Sequence, residues 1–127
     1  FIGSPTINIL KGRIESNSFI SDGGLISMNV HEKDLEKLAP YDNKPIHMGI
    51  RSERFLAKGS PDTFKAMVDV IEMLGKEKTL FVKTETGVEL TLTFPGHYHF
   101  EQGEVHEFGL DPEAVHYFDA ETGDRIR

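Results

Sequence analysis

Apolar and polar residues alternate with a period of two along most of this chain, the pattern of half-buried β-strands separated by turns. "TINILKGRIE" carries Ile7, Ile9 and, after a local break at Gly12, Ile14, with polar residues between. "FISDGG" follows, and Asp22-Gly23-Gly24 is a hairpin-type turn. "LISMNV" resumes the alternation as a strand. A helical turn comes next: Asn29 and Glu32 have capping-box spacing, Leu35 and Leu38 share a face, and Pro40 ends it. "IHMGIRSERF" is extended again, and "TLFVKTETGVELTLTF" is the clearest hairpin, two alternating runs around Glu85-Thr86-Gly87. The pattern predicts a mainly β protein, a small barrel or sandwich, with one or two short helices.

One segment reads two ways. In "SPDTFKAMVDVIEMLG", Phe64, Met67, Val68, Ile71 and Leu74 fit a helical face, with Ser60 as cap, Pro61 in the first turn and Gly75 as stop. The β-branched Val68, Val70 and Ile71, and the alternation of Ala66, Val68 and Val70, fit a strand equally well. Near the end, Asp111-Pro112-Glu113 begins a capped turn, His116-Tyr117-Phe118 reads as a strand, and Asp119 to Gly123 as a polar turn.

Length and charge narrow the possibilities. At 127 residues the chain is one domain, or two very small ones sharing a core, and "LAKGSPD" at 56–62 places a boundary near residues 57–63. Fourteen Lys and Arg against 21 Asp and Glu give a formal charge of −7. The basic residues are scattered singly among acids, so no stripe is set up to bind nucleic acid. Cysteine is absent, which removes disulfides, thiolate metal sites and cysteine nucleophiles and suits a cytoplasmic setting. No run approaches the roughly 18 apolar residues of a membrane span, and no segment reads as a signal peptide. The apolar opening at Phe1 reads as an interior segment of something larger.

The chemistry that stands out is "FPGHYHFEQGEVHEFG", Phe94 to Gly109. His97 and His99 would share one face of a strand, and Glu104 would complete a His-x-His…Glu metal set like that of the cupin barrels. The spacing departs from that pattern. Thr91 stands where its first Gly belongs, Gly109 comes two residues early for its last, and His116 is too near to be the distant His ligand. Pro95-Gly96 stops the strand before His97, so the histidines belong to a loop at a barrel end and no metal is assigned. "LGKEKT" lacks the first Gly and the Ser or Thr of a P-loop, no G-x-S-x-G occurs, and no carboxylate pair is singled out for acid–base work. His116 reads as a packed histidine beside Tyr117 and Phe118. The alternatives from other classes are a cupin-like metal-dependent enzyme on His97, His99 and Glu104, and an OB-fold binder of small ligands or nucleic acid.

Four segments, in order, resemble one family. "FIGSPTIN" at 1–8, "MGIRSERF" at 48–55, "VDVIEMLGKEKTLFV" at 68–82 and "FGLDPEAVHYFDAETGDRI" at 108–126 resemble the region after the nucleotide-binding domain in ATPase subunits of sugar ABC importers, the maltose and glycerol-phosphate transporter type. The resemblance spans essentially the whole chain. It implies a C-terminal regulatory domain, an OB-like or TOBE-type pair of interlocked β subdomains, with a strand over 66–74. Such a domain does not hydrolyse ATP and holds no cofactor. ATP and Mg belong to the ATPase domain, expected before Phe1. The implied partners are a second copy, the membrane permease subunits through the ATPase domain, and in some members a regulatory protein. The implied location is the cytoplasmic face of the cell membrane. Carried over by position, Phe1, Gly3, Ser4 and Pro5 form the passage from the ATPase domain. Gly49, Ile50, Arg51 and Glu53 match a "GIRPE" core, Gly75 a turn glycine, Asp111, Pro112 and Glu113 a "DPE" turn, and Phe118 and Asp119 an "FD" pair. Ser52 replaces the usual Pro, Arg54 a common His, and Ile7 the usual Met.

Overall fold

Strand β1 (Ile7–Glu15) turns Asn8, Leu10, Gly12 and Ile14 inward and leaves Ile9, Lys11 and Arg13 exposed. This is the first strand of a computed structural model, which describes residues 7–127. Strands β2 (Ser18–Ser21) and β3 (Ser27–Asn29) continue as a meander, joined through Gly23 and Gly24 at φ 89° and 75°. These angles suit residues without a Cβ. A short helix, α1 (Glu32–Leu38), runs into a 3-10 turn over Ala39–Tyr41, and β4 (Pro45–Arg51) ends in a second 3-10 turn at Ser52–Arg54. Then come β5 (Thr63–Leu74), β6 (Glu77–Lys83), β7 (Glu89–Pro95), β8 (Val105–Gly109) and β9 (His116–Asp119). All pairings between these strands are antiparallel. One sheet has the order β3-β2-β1-β4-β9 and the other β7-β6-β5-β8. The fold is thus mainly β and OB-like, as the alternation and the resemblance predict. Among the described residues no helix is long and apolar enough to cross a membrane.

Two local expectations are corrected, and the segment that reads two ways is settled. Gly12 does not break β1: pairing with β2 and β4 continues through it. It is glycine because β2 lies so close. A Cβ there would run into the backbone carbonyl of Ile20 and come within 2.7 Å of the Phe19 ring tip. Backbone cannot swing aside as a side chain can, so Gly12→Ala is expected to cost about 1–3 kcal/mol, read as a fall in the urea midpoint. The helix cap is His31, whose Nδ1 accepts from the Lys33 N–H at 3.0 Å, and not Asn29. Asn29 belongs to β3 and spends its side chain on Ser18, whose hydroxyl donates to Asn29 Oδ1 at 3.0 Å. Residues 63–74 form a strand, as the resemblance implies for 66–74. Phe64, Ala66 and Val68 point inward, and β6 and β8 flank it on either side, so its backbone groups are paired as only a central strand's can be. A β-bulge between Val68 and Val70 shifts the register half-way. Ser60 caps nothing: its hydroxyl donates to the Leu110 carbonyl at 2.7 Å and accepts from the Asp62 N–H at 3.1 Å.

One apolar core lies within this framework. Leu10, Phe19, Met28, Ile46, Met48 and Tyr117 fill it from the first sheet, and Phe64, Leu80, Leu92 and Phe108 from the second. Phe108 is its aromatic centre, with ring centroids of Phe64, Phe94 and Phe100 at 5.9–6.0 Å. The first sheet is completed by the last strand, β9, paired along β4 from Ile46↔Asp119 to Gly49↔His116.

Candidate functional site

The histidine-rich stretch is a loop. β7 ends at Pro95 and β8 starts at Val105. His97 sits edge-on to Tyr98, and His99, 82% exposed, points Nε2 at Glu101 Oε1 3.5 Å away. The Glu104 carboxylate is turned back on its own loop, accepting from the Glu101 N–H at 2.7 Å beside Gly103 at φ 90°. His106 packs against the rings of Phe100 and Phe108, with Nε2 3.3 Å from the Ala57 carbonyl. Among the described residues, no three histidine, aspartate or glutamate side chains are gathered to hold a metal ion.

The family-motif residues build joints. Phe1, Gly3, Ser4 and Pro5 lie outside the described residues. Gly49 on β4 leaves a gap over which Ile7, Ile9 and Phe118 close: a Cβ there would lie 2.8 Å from the Phe118 ring and 2.9 Å from Ile7 Cδ1. Ile50 is fully buried, Arg51 is exposed at the end of β4, and Glu53 is exposed in the following 3-10 turn. Gly75, far from these, makes the β5–β6 turn at φ 63°. The Asp111 carboxylate accepts from the Glu113 N–H at 3.0 Å and faces Arg54 at 3.6 Å, which fixes the turn through Pro112. Asp119 does the same at the other end of β9. It accepts from the N–H groups of Glu121 and Thr122 at 2.8 and 3.0 Å, and from the Tyr41 hydroxyl at 3.0 Å. The two backbone bonds, then Tyr41, hold its carboxyl below the usual carboxylate range.

His116 is half-buried on the outer side of β9. Desolvation, then the charges of Arg125, Arg51, Lys33 and Lys37, keep its imidazole below the ordinary 6.5. The folded chain therefore binds this proton less readily than the unfolded one. Its contribution to stability is intact above about pH 6.5 and is lost as the pH falls from there through the lowered folded value. His116→Gln is expected to flatten the dependence of the urea midpoint on pH over that window. An unchanged slope would place the effect on other groups.

Two features carry no motif in the sequence. The first is Asn8, buried inside β1. Its side-chain amide donates to the Thr91 carbonyl at 2.8 Å and accepts from the Thr91 N–H at 2.8 Å, with a further contact to the Ile50 carbonyl at 3.3 Å. The amide thus stands in for one residue of a strand along the edge of β7, and it joins the two sheets. A polar residue at an inward position of an alternating strand was the available signal. The second is a groove of about 640 Å³ on the second sheet, where exposed Leu25, Met67 and Val105 come together beside Lys65, Lys83, Glu85 and Glu107. Met67 and Val105 are direct cross-strand neighbours, as are Lys65 and Glu107.

Two short antiparallel sheets around one core, with motif glycines and carboxylates spent on turns and joints, define an OB-type β module. The cytoplasmic molybdate-binding protein ModG, in its molybdate-bound form, has the same fold: TM-score 0.70 over 91% of this chain and 96% of that one, at 13% identity. The chain belongs to the TOBE domain family, whose model matches residues 48–118, and the MalK OB fold domain model matches residues 3–55. It is 30% identical to an sn-glycerol-3-phosphate import ATP-binding protein of Psychromonas ingrahamii, over 99% of this chain and 34% of that protein. It is 29% identical to a xylose/arabinose import ATP-binding protein of Haloferax volcanii, over 100% of this chain and 34% of that one. A second sn-glycerol-3-phosphate import ATP-binding protein, from Cereibacter sphaeroides, is 31% identical over 99% and 34%. The chain spans about a third of the length of the curated relatives it matches.

Proposed function

We propose that this chain is the regulatory C-terminal domain of the ATP-binding subunit of a carbohydrate importer, that it is not itself catalytic, and that it associates with a second copy. The observation that carries the reading is that the TOBE domain and MalK OB fold domain models together match nearly the whole chain, while the relatives named above are import ATP-binding proteins about three times as long. In this reading ATP and Mg are bound by the rest of the subunit. The permease is reached through that part, and the assembly sits on the inner face of the membrane. Residues 1–127 act as one unit whose two parts meet near 57–63. The ligand-binding alternative has less in its favour: a net charge of −7 repels nucleic acid and oxyanions alike.

The experiment has two arms. The isolated chain is expected to hydrolyse no ATP. The longer protein it comes from is expected to carry a P-loop ahead of Phe1 and to keep MgATP hydrolysis when residues 7–127 are removed, while losing self-association. Hydrolysis by the isolated chain, or a parent without a P-loop, overturns the proposal.

A further inference from the structure

β8 is an outer strand of its sheet, and it is unfinished. Gly109 gives its N–H and its carbonyl to Leu56, at 2.7 and 3.0 Å, on the side away from β5. In an antiparallel ladder successive residues point their backbone groups to opposite sides. Glu107 and Val105 therefore also aim theirs away from β5, and among the described residues no backbone group meets them. An open edge beside an exposed apolar groove is a template for another strand. Val105 is 66% exposed, and Leu25 and Met67 are each 38% exposed.

We propose that the occupant is a second copy of this chain, its β8 antiparallel to β8 here, so that Val105 of each copy lies opposite Glu107 of the other. This rests on the self-association proposed above and assigns its face. The charges argue for it. The chain as a whole carries −7, so most of its surface repels a copy of itself, yet the groove balances Lys65 and Lys83 against Glu85 and Glu107. In the proposed register the row across the joined sheets reads Lys83, Met67, Val105, then Glu107 and Lys65 of the second copy. No like charges stand opposite one another, the apolar pair is covered, and the free N–H and carbonyl groups of Val105 and Glu107 are paired. A two-fold axis through His106 makes every contact twice.

Sedimentation equilibrium of the 127-residue chain is expected to show a monomer–dimer equilibrium. Val105→Glu, which sets like charges opposite one another at both ends of the joined strands, is expected to weaken it by roughly tenfold or more. Leu74→Glu, the same change at a side chain 62% exposed on the far end of β5, leaves it unchanged. Because the chain has no cysteine, the register can be read directly. Hydrogen-bonded antiparallel partners have Cα atoms about 5.5 Å apart, within disulfide reach, whereas diagonal neighbours at about 7–8 Å are outside it. A mixture of Val105→Cys and Glu107→Cys chains is expected to form a disulfide-linked pair under mild oxidation, and neither variant alone to do so. A chain that stays monomeric overturns the self-association itself. A dimer indifferent to Val105→Glu, or one in which Val105→Cys alone cross-links as readily as the mixture, overturns the face and leaves the regulatory reading in place.

Discussion

Phe108→Ala is expected to destabilise the chain by about 3–5 kcal/mol and to lower its melting temperature by on the order of 15 °C. Phe108 is fully buried and sits on β8 opposite Phe64. Its ring centroid lies 5.9 Å from those of Phe64 and Phe100, 6.0 Å from Phe94 and 4.7 Å from the imidazole of His106. These neighbours come from β5, β7, the loop after β7 and β8 itself, so the void left by alanine has no single element that can collapse into it. Phe108→Leu keeps most of the volume and is expected to cost under about 1.5 kcal/mol. Urea unfolding of both variants checks the pair. A loss under about 1 kcal/mol for alanine would mean that the cluster repacks.

Asn8→Ala comes next, at about 3 kcal/mol. Here the loss is polar. Thr91 would keep its N–H and its carbonyl at a buried site with both partners gone, and each unsatisfied group costs about 1–3 kcal/mol. Asn8→Asp separates the two bonds. An aspartate can still accept from the Thr91 N–H, but it sets a negative charge against the carbonyls of Thr91 and Ile50, so it is expected to cost no less than alanine. Amide hydrogen exchange at Thr91 gives a local readout: its N–H should lose protection in Asn8→Ala ahead of the rest of β7.

Much of the fold could be read from the pattern of residues because each hairpin has its own alternation and turn. The β6–β7 pair around Gly87 is the plainest case: its register runs without a shift from Glu77↔Pro95 to Lys83↔Glu89. What misled was local reading where tertiary contacts decide. Phe64, Met67, Val68, Ile71 and Leu74 do fall on one helical face, so periodicity alone left the segment open, and pairing with β6 and β8 gives the strand that the resemblance implies. Ile7 and Ile9 look like core residues. They lie on the outer side of β1, closing with Phe118 over the missing side chain of Gly49, while Asn8 and Gly12 take inward places. Asn29 has an N-cap's spacing, but Ser18 engages it first. The histidine loop was legible from Pro95-Gly96. The joint at Asn8 was not, since its partner Thr91 is 83 positions away. Nor was the groove, whose residues come from Leu25, β5, β6 and β8.

The pairing of β9 with β4 has a consequence for how the protein is made. Arg51 leaves the ribosome long before His116 does, and until β9 arrives one side of β4 stands open. The outermost rung of the first sheet therefore waits until β9 has been made. A nascent chain paused after β8 would hold a bare strand edge, exposed to chaperones or to another nascent copy. The ladder from Ile46↔Asp119 to Gly49↔His116 is thus a pairing between residues far apart in sequence, the kind whose loop-closure cost comes before its reward.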